Sequence, residues 1–185
     1  VRVEACKTGL LEAECKQYGS SFKPTGLLQQ YGDSDAMRFG LLTGSYLHNL
    51  EGGVLRKQIG KFADEVDLSN GTFKATTNGI VKTLNGLRVQ GMSNDANFPV
   101  YDCGWSYAGQ ILVDGKCASW GNPLGEMMYE AVRYLAGETS PTAGYVSDMN
   151  AGSSDIDGGT AASSSSSGSG LGLPKVSSWI DPYEV

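Results

Sequence analysis

The sequence predicts a mixed fold, between α/β and α+β, on three observations. VRVEAC alternates Val1, Val3 and Ala5 against Arg2 and Glu4, the period of a half-buried strand. AMRFGLLTGSYL, residues 36–47, opens as a near-continuous apolar run, the pattern of a strand covered on both faces. GNPLGEMMYEAVRYLAG, residues 121–137, repeats apolar residues at helical spacing.

Taken in order, the strand VRVEAC leads into a loop, Lys7 to Ser21. KPTGLLQQYG follows, with Pro24 suited to a helix start and Leu27, Leu28 and Tyr31 to a short buried turn. After the apolar run, Gly52-Gly53 reads as a turn and Val54 onward as a further extended piece. Asn70-Gly71 is a turn signal. Asn78-Gly79 opens a helix on which Ile80, Val81, Leu84 and Leu87 share a face. Met92 to Cys103 is polar and irregular, and Tyr107 to Val113 with Asp114-Gly115 looks like a hairpin arm and its turn. Residues 121–137 form the clearest element. Asn122 caps, Pro123 fits the first helical position, and Gly137 ends the helix. Leu124, Met127, Met128, Ala131 and Leu135 make the stripe that must be covered, over about 14 residues or ~21 Å. Glu126 and Glu130 precede Arg133, which permits weak i+3 pairing.

Composition then narrows the partners. The 185 residues carry a net charge of −6 and a pI near 4.7. An acidic chain without a basic cluster repels phosphate backbones, so neither nucleic acid nor an anionic membrane surface is expected as a partner. No run of about 18 apolar residues exists to span a bilayer. The four cysteines fall into two local pairs, Cys6 with Cys15 and Cys103 with Cys117, without the C-x-x-C spacing of metal or redox sites. Two short-loop disulfides in an oxidising compartment are expected, each contributing roughly 2.5–3 kcal/mol. Four free thiols in a cytosolic protein are the alternative. After Gly137 the composition changes. Residues 138–175 are rich in Ser and Gly, and Ser163 to Gly170 reads as a flexible linker or surface insertion. Residues 176–185 bring Trp179 and Ile180 back towards the core.

Chemistry-bearing candidates are few. His48 stands alone in a turn-rich stretch, without an oriented acid or nucleophile beside it. Ser119 lacks a Gly-x-Ser-x-Gly elbow. Asp155 to Gly159 lacks the ligand positions and distal Glu of a calcium loop, and a solvated acidic turn explains it. Trp105, Tyr107, Trp120 and Trp179 are candidates for an exposed aromatic patch that binds glycans or surfaces, against the simpler expectation of local core.

Five stretches in order, VRVEAC with Cys15, KPTGLLQQYG, AMRFGLLTGSYL with EGGVLR, NGIVKTLN, and GNPLGEMMYEAVRYLAG with Pro141-Thr142, closed by Trp179 to Tyr183, resemble the PilC/PilY family. These are large secreted proteins of the type IV pilus tip. The resemblance implies a von Willebrand factor A-like N-terminal half, to which this chain contributes the central part, and a C-terminal β-propeller that often holds calcium. By it, residues 1–137 are a partial A-type domain, residues 138–175 an insertion or linker, and residues 176–185 a return segment. A-type domains bind a metal through Asp-x-Ser-x-Ser, completed by a threonine at the position of Asn122. The motif is absent, and Asp33-Ser34-Asp35 does not fit it. Asn122 is therefore a weak candidate ligand that helix capping already explains. No cofactor is expected in this chain, with calcium or magnesium in the full-length protein.

The function expected is extracellular binding and assembly, as tip adhesin or biogenesis factor, without catalysis. Its partners would be pilins or other pilus components, and the rest of the same polypeptide or further copies of this chain. It would be exported through the periplasm to the cell surface. Val1 and Val185 are expected to be limits of a longer chain whose inner strands lie beyond them. One alternative is a self-associating fragment of an extracellular filament or matrix. Another is a secreted hydrolase accessory or carbohydrate-binding module.

Overall fold

A computed structural model describes residues 3–45, 50, 52–87, 123–146 and 173–184. It mixes small sheets and helices, an α+β arrangement. The order is β1 (Cys15–Tyr18), β2 (Ser21–Pro24), α1 (Leu27–Gly32), β3 (Phe39–Thr43), β4 (Val54–Gly60), a 3₁₀ turn (Phe62–Glu65), β5 (Val66–Asp67), β6 (Thr72–Phe73), α2 (Ile80–Gly86), α3 (Leu124–Leu135) and α4 (Ala143–Val146).

Three antiparallel hairpins, β1–β2, β3–β4 and β5–β6, hold the paired strands. β3 pairs with β4 from Phe39↔Gly60 to Thr43↔Val54, with register shifts on either side of Leu41. This hairpin divides two cores. On one face Phe39 and Leu41 join Tyr18, Phe62, Val66 and Ile80. On the other, Leu42 and Ile59 join Leu55, Tyr134 and Trp179. The expectation that the apolar run is covered on both faces therefore holds, because successive strand residues point to opposite sides.

Several local expectations need correction. Val3 to Ala5 form no strand, and Val3 is 84% exposed. The alternation there has no neighbouring strand to pair with among the described residues. The expected loop 7–21 instead contains β1 and the start of β2, joined at Gly19-Ser20. That dipeptide is a hairpin signal in its own right. Pro24 ends β2, and α1 begins only at Leu27, with Gly26 at its N-cap. On α2, Ile80 is buried and Val81 and Leu87 are half-buried as expected, whereas Leu84 is exposed and Thr83 is buried in its stead. The Thr83 hydroxyl tolerates this burial by donating to the Gly79 carbonyl at 2.7 Å.

Other expectations agree with the structure. The turn between β5 and β6 spans Asn70-Gly71. There the Asp67 carboxylate accepts from the Ser69 hydroxyl at 2.6 Å, the Ser69 N–H at 2.9 Å and the Asn70 side chain at 2.9 Å. The Ser69 bonds hold the Asp67 carboxyl below its ordinary range. β4 begins at Val54 as expected, and Cys6 is bonded to Cys15, nine positions apart. Cys103 and Cys117 lie outside the described residues, as does the hairpin arm expected at 107–113.

α3 starts one residue later than expected. Pro123 takes the N-cap, and its carbonyl accepts from the Met127 N–H at 2.9 Å. The helix ends as expected at Gly137, with φ of 85°. The Gly137 N–H reaches the Tyr134 carbonyl at 3.1 Å and the Glu138 N–H the Arg133 carbonyl at 3.1 Å, a Schellman closure. Its buried face is not the predicted stripe. Glu130 and Tyr134 are the buried residues, whereas Leu124 and Met128 are exposed.

Candidate functional site

Two glutamates are buried among the described residues, Glu65 at the end of the 3₁₀ turn and Glu130 within α3. Glu65 closes the 3₁₀ turn. It accepts from the Lys57 ammonium at 2.6 Å and from the Val81 N–H at 2.8 Å. Val81 is the second residue of α2, so Glu65 supplies the anionic cap that Gly79 cannot. Gly79 is required in turn, because a Cβ there would collide with the Glu65 carboxyl group.

Glu130, fully buried, projects from α3. It accepts from the Thr142 N–H at 3.0 Å, from the Thr142 hydroxyl, and from Arg133 at 3.1 Å. The i+3 pairing expected on sequence is thus present, but in a buried network and not on a solvated face. Arg133 also donates to the Ser140 carbonyl at 3.2 Å and lies 5.6 Å from the Trp179 ring centroid. Arg56, also buried, donates to the Thr43 hydroxyl at 2.8 Å and to the carbonyls of Gly44 and Pro174 at 3.1 and 3.2 Å. These buried side chains fasten the head of α2 and the loop at Pro174 to β4, and Thr142 to α3.

The apolar concavity found among the described residues lies between β3 and α3. An open groove of about 280 Å³ is lined by Phe39, Gly40, Leu42, Ile59, Ala131 and Leu135, with Arg38 the charged residue among its lining. Tyr129 and Val132 of α3 are exposed outside this lining. Sequence reasoning found Ala131 and Leu135 but assigned their stripe to the core. It missed Glu65 and Arg56, for which no local pattern announces burial.

Trp179 is 4% exposed and packs edge-on against Tyr134, ring centroids 5.6 Å apart. Its indole N–H donates to the Val176 carbonyl at 3.1 Å. It is a core residue, so the exposed patch loses that member. Ile180, expected to tuck in beside it, is exposed. Trp105, Tyr107, Trp120, Asn122, His48, Ser119 and the acidic stretch 155–159 lie outside the described residues. Among the described residues, the one cluster with metal-like spacing is Cys6, Glu12 and Cys15. Both sulfurs are consumed by the disulfide, and a single carboxylate does not fit calcium or magnesium, which take about six or more oxygens.

The sequence signature described as "PilY1 homolog, second domain" matches residues 39–185. This chain belongs to the PilY1 homologue family. A relative from Xylella fastidiosa (strain Temecula1 / ATCC 700964), named type IV pilus biogenesis factor PilY1 homolog, is 42% identical over 170 residues. The match covers 84% of this chain and 11% of that relative. No solved structure matches. The family match begins at the first residue of β3, yet Tyr18 and Leu28, which precede it, pack into the same core. Among the described residues, no helix of this PilY1-family chain is long and apolar enough to cross a membrane.

Proposed function

We propose that this chain is a non-catalytic binding and assembly module of an extracellular type IV pilus biogenesis factor or tip adhesin. The observation that carries the reading is the 42% identity to a protein named for pilus biogenesis, over most of this chain. The use of buried charges as fasteners supports it, because Glu65, Glu130 and Arg56 are engaged in holding the fold. The layering supports an A-type relationship, with a hairpin covered by helices on both faces. In this reading the partners are pilus components at the cell surface, reached by export through the periplasm. A calcium or magnesium ion would be held by residues beyond this chain, with Asn122 the weak candidate within it.

The test is deletion of residues 1–185 from the full-length factor in a piliated bacterium, with the secreted amount of the factor measured alongside. Loss of surface pili or of pilus-dependent attachment, at undiminished secretion, is the expected result. Normal piliation and attachment would sink the proposal.

A further inference from the structure

Three Asn-Gly pairs stand close together in the sequence: Asn70-Gly71, Asn78-Gly79 and Asn85-Gly86. This dipeptide is chemically self-reactive. Glycine has no side chain to shield its backbone nitrogen, and that nitrogen can attack the carboxamide carbon of the asparagine before it. The three pairs are identical in type, so the fold decides which of them reacts.

Asn70 is held still. Its carboxamide oxygen accepts from the Thr72 N–H at 2.9 Å and from the Thr72 hydroxyl at 2.6 Å, and its amide nitrogen donates to Asp67 at 2.9 Å. The Gly71 N–H, the group that would attack, donates to the Asp67 carbonyl at 2.7 Å. Asn85 lies in the last turn of α2, where helical backbone commits the next N–H to the main-chain ladder. Asn78 differs from both. It is exposed and stands just before Gly79, the N-cap of α2. Among the described residues no acceptor takes the Gly79 N–H. The Asn78 carboxamide oxygen accepts from the Lys82 ammonium at 2.7 Å. Such a charge-assisted bond draws electrons from the carboxamide carbon and stabilises the oxyanion that forms on attack.

We propose that Asn78 is a self-modification site, converted to isoaspartate ahead of Asn70 and Asn85, and that the product releases Glu65 from the head of α2. The Gly79 nitrogen bonds to Asn78 Cγ, the Cγ–Nδ2 bond breaks, and ammonia leaves with the proton of the Gly79 amide. Water then opens the succinimide ring. Opening at the main-chain carbon gives isoaspartate, whose chain runs through Cβ and Cγ and is one atom longer. Opening at Cγ gives aspartate. Nothing is oxidised or reduced. The added atom arrives where there is no room, since a Cβ on Gly79 would already collide with the Glu65 carboxyl group. That carboxylate accepts from the Val81 N–H at 2.8 Å, so a displaced Gly79 disturbs the cap. Aspartate leaves the backbone as it was, and its charge suits a helix head beside Lys82. The inference is independent of the pilus reading.

The test ages the full-length secreted protein in warm, mildly alkaline buffer and follows the three sites by peptide mass spectrometry that separates isoaspartate from aspartate. Asn78 is expected to convert at least about tenfold faster than Asn70 or Asn85, the factor that one ordinary hydrogen bond sets. In guanidinium chloride the three rates are expected to converge. Conversion at Asn70 or Asn85 as fast as at Asn78, or the same ranking in the denatured chain, overturns the assignment. Lys82→Met is expected to slow Asn78 severalfold, and an undiminished rate overturns the role of the ammonium. Amide exchange at Val81 reads the consequence. It is expected to quicken as the natural sequence ages and to hold steady in Asn78→Ser, which cannot close the ring. Equal quickening in both proteins, or none in either, overturns the release of Glu65.

Discussion

Tyr18 shows how one side chain joins two elements. Its hydroxyl donates to Asp33 Oδ2, which Lys16 also reaches at 2.8 Å, so β1 is tied to the loop after α1. Burial, then the bond to Asp33, then the charge of Asp33 raise the Tyr18 hydroxyl well above its ordinary pKa of 10.0. Burial similarly raises Tyr134. The sign follows from linkage. A raised folded pKa means the contribution is complete below the unfolded value and is lost as pH rises beyond it. Stability is therefore expected to fall above about pH 10. Tyr18→Phe should cost about 1–2 kcal/mol at pH 8, because the buried Asp33 oxygen loses a donor, and should flatten the alkaline decline. Urea unfolding of both proteins from pH 8 to 11 checks this, and parallel pH profiles would refute it. Nothing in the sequence around Tyr18 announced the bond, since Asp33 lies 15 positions away across an unforeseen hairpin. Trp179 was legible as a residue returning to the core, because a large aromatic in a polar tail has little else to bury it.

At the scale of elements, α3 depends on close approach. A Cβ on Gly53 would stand 2.9 Å from Met127 Cα and 3.2 Å from the Glu126 carbonyl oxygen, both backbone atoms that cannot swing aside. Gly53→Ala should push α3 off the hairpin at a cost of about 1–3 kcal/mol, read as a lower urea midpoint. An unchanged midpoint would show that α3 shifts freely. Asp67, whose pKa is lowered chiefly by Ser69, fastens the β5–β6 turn only while ionised, so that turn loosens as pH falls. The stop of α3 was legible at Gly137, because closure is local chemistry, while its start fell one residue later than expected. Which of its sides is buried was not, because the apolar line and the buried line differ. The Glu130–Arg133 pair was visible at i+3, but its burial depends on Thr142, twelve positions on.

The whole molecule is held by contacts that cross the start of the family match. Tyr18 and Leu28 cover Phe62, Val66 and Ile80, three residues no more than 4% exposed. A fragment beginning at Phe39 would uncover them, and is expected to unfold at lower urea and to aggregate more readily than the 185-residue chain. Scattering and denaturation of the two side by side test this, and equal midpoints would mean that residues 1–38 are dispensable. By itself the sequence determined a mixed α and β class, a net charge of −6, the Cys6–Cys15 pairing, the turn at Asn70-Gly71, and membership of a pilus-associated family. Each of these rests on neighbours in the chain or on the order of motifs. Tertiary structure alone decided that the β3–β4 hairpin separates two cores, that Glu65 caps α2, and that α3 turns Leu124 and Met128 outward. Those outcomes are set by contacts between residues far apart in sequence, where burial is a property of the assembled layers and no local period encodes it.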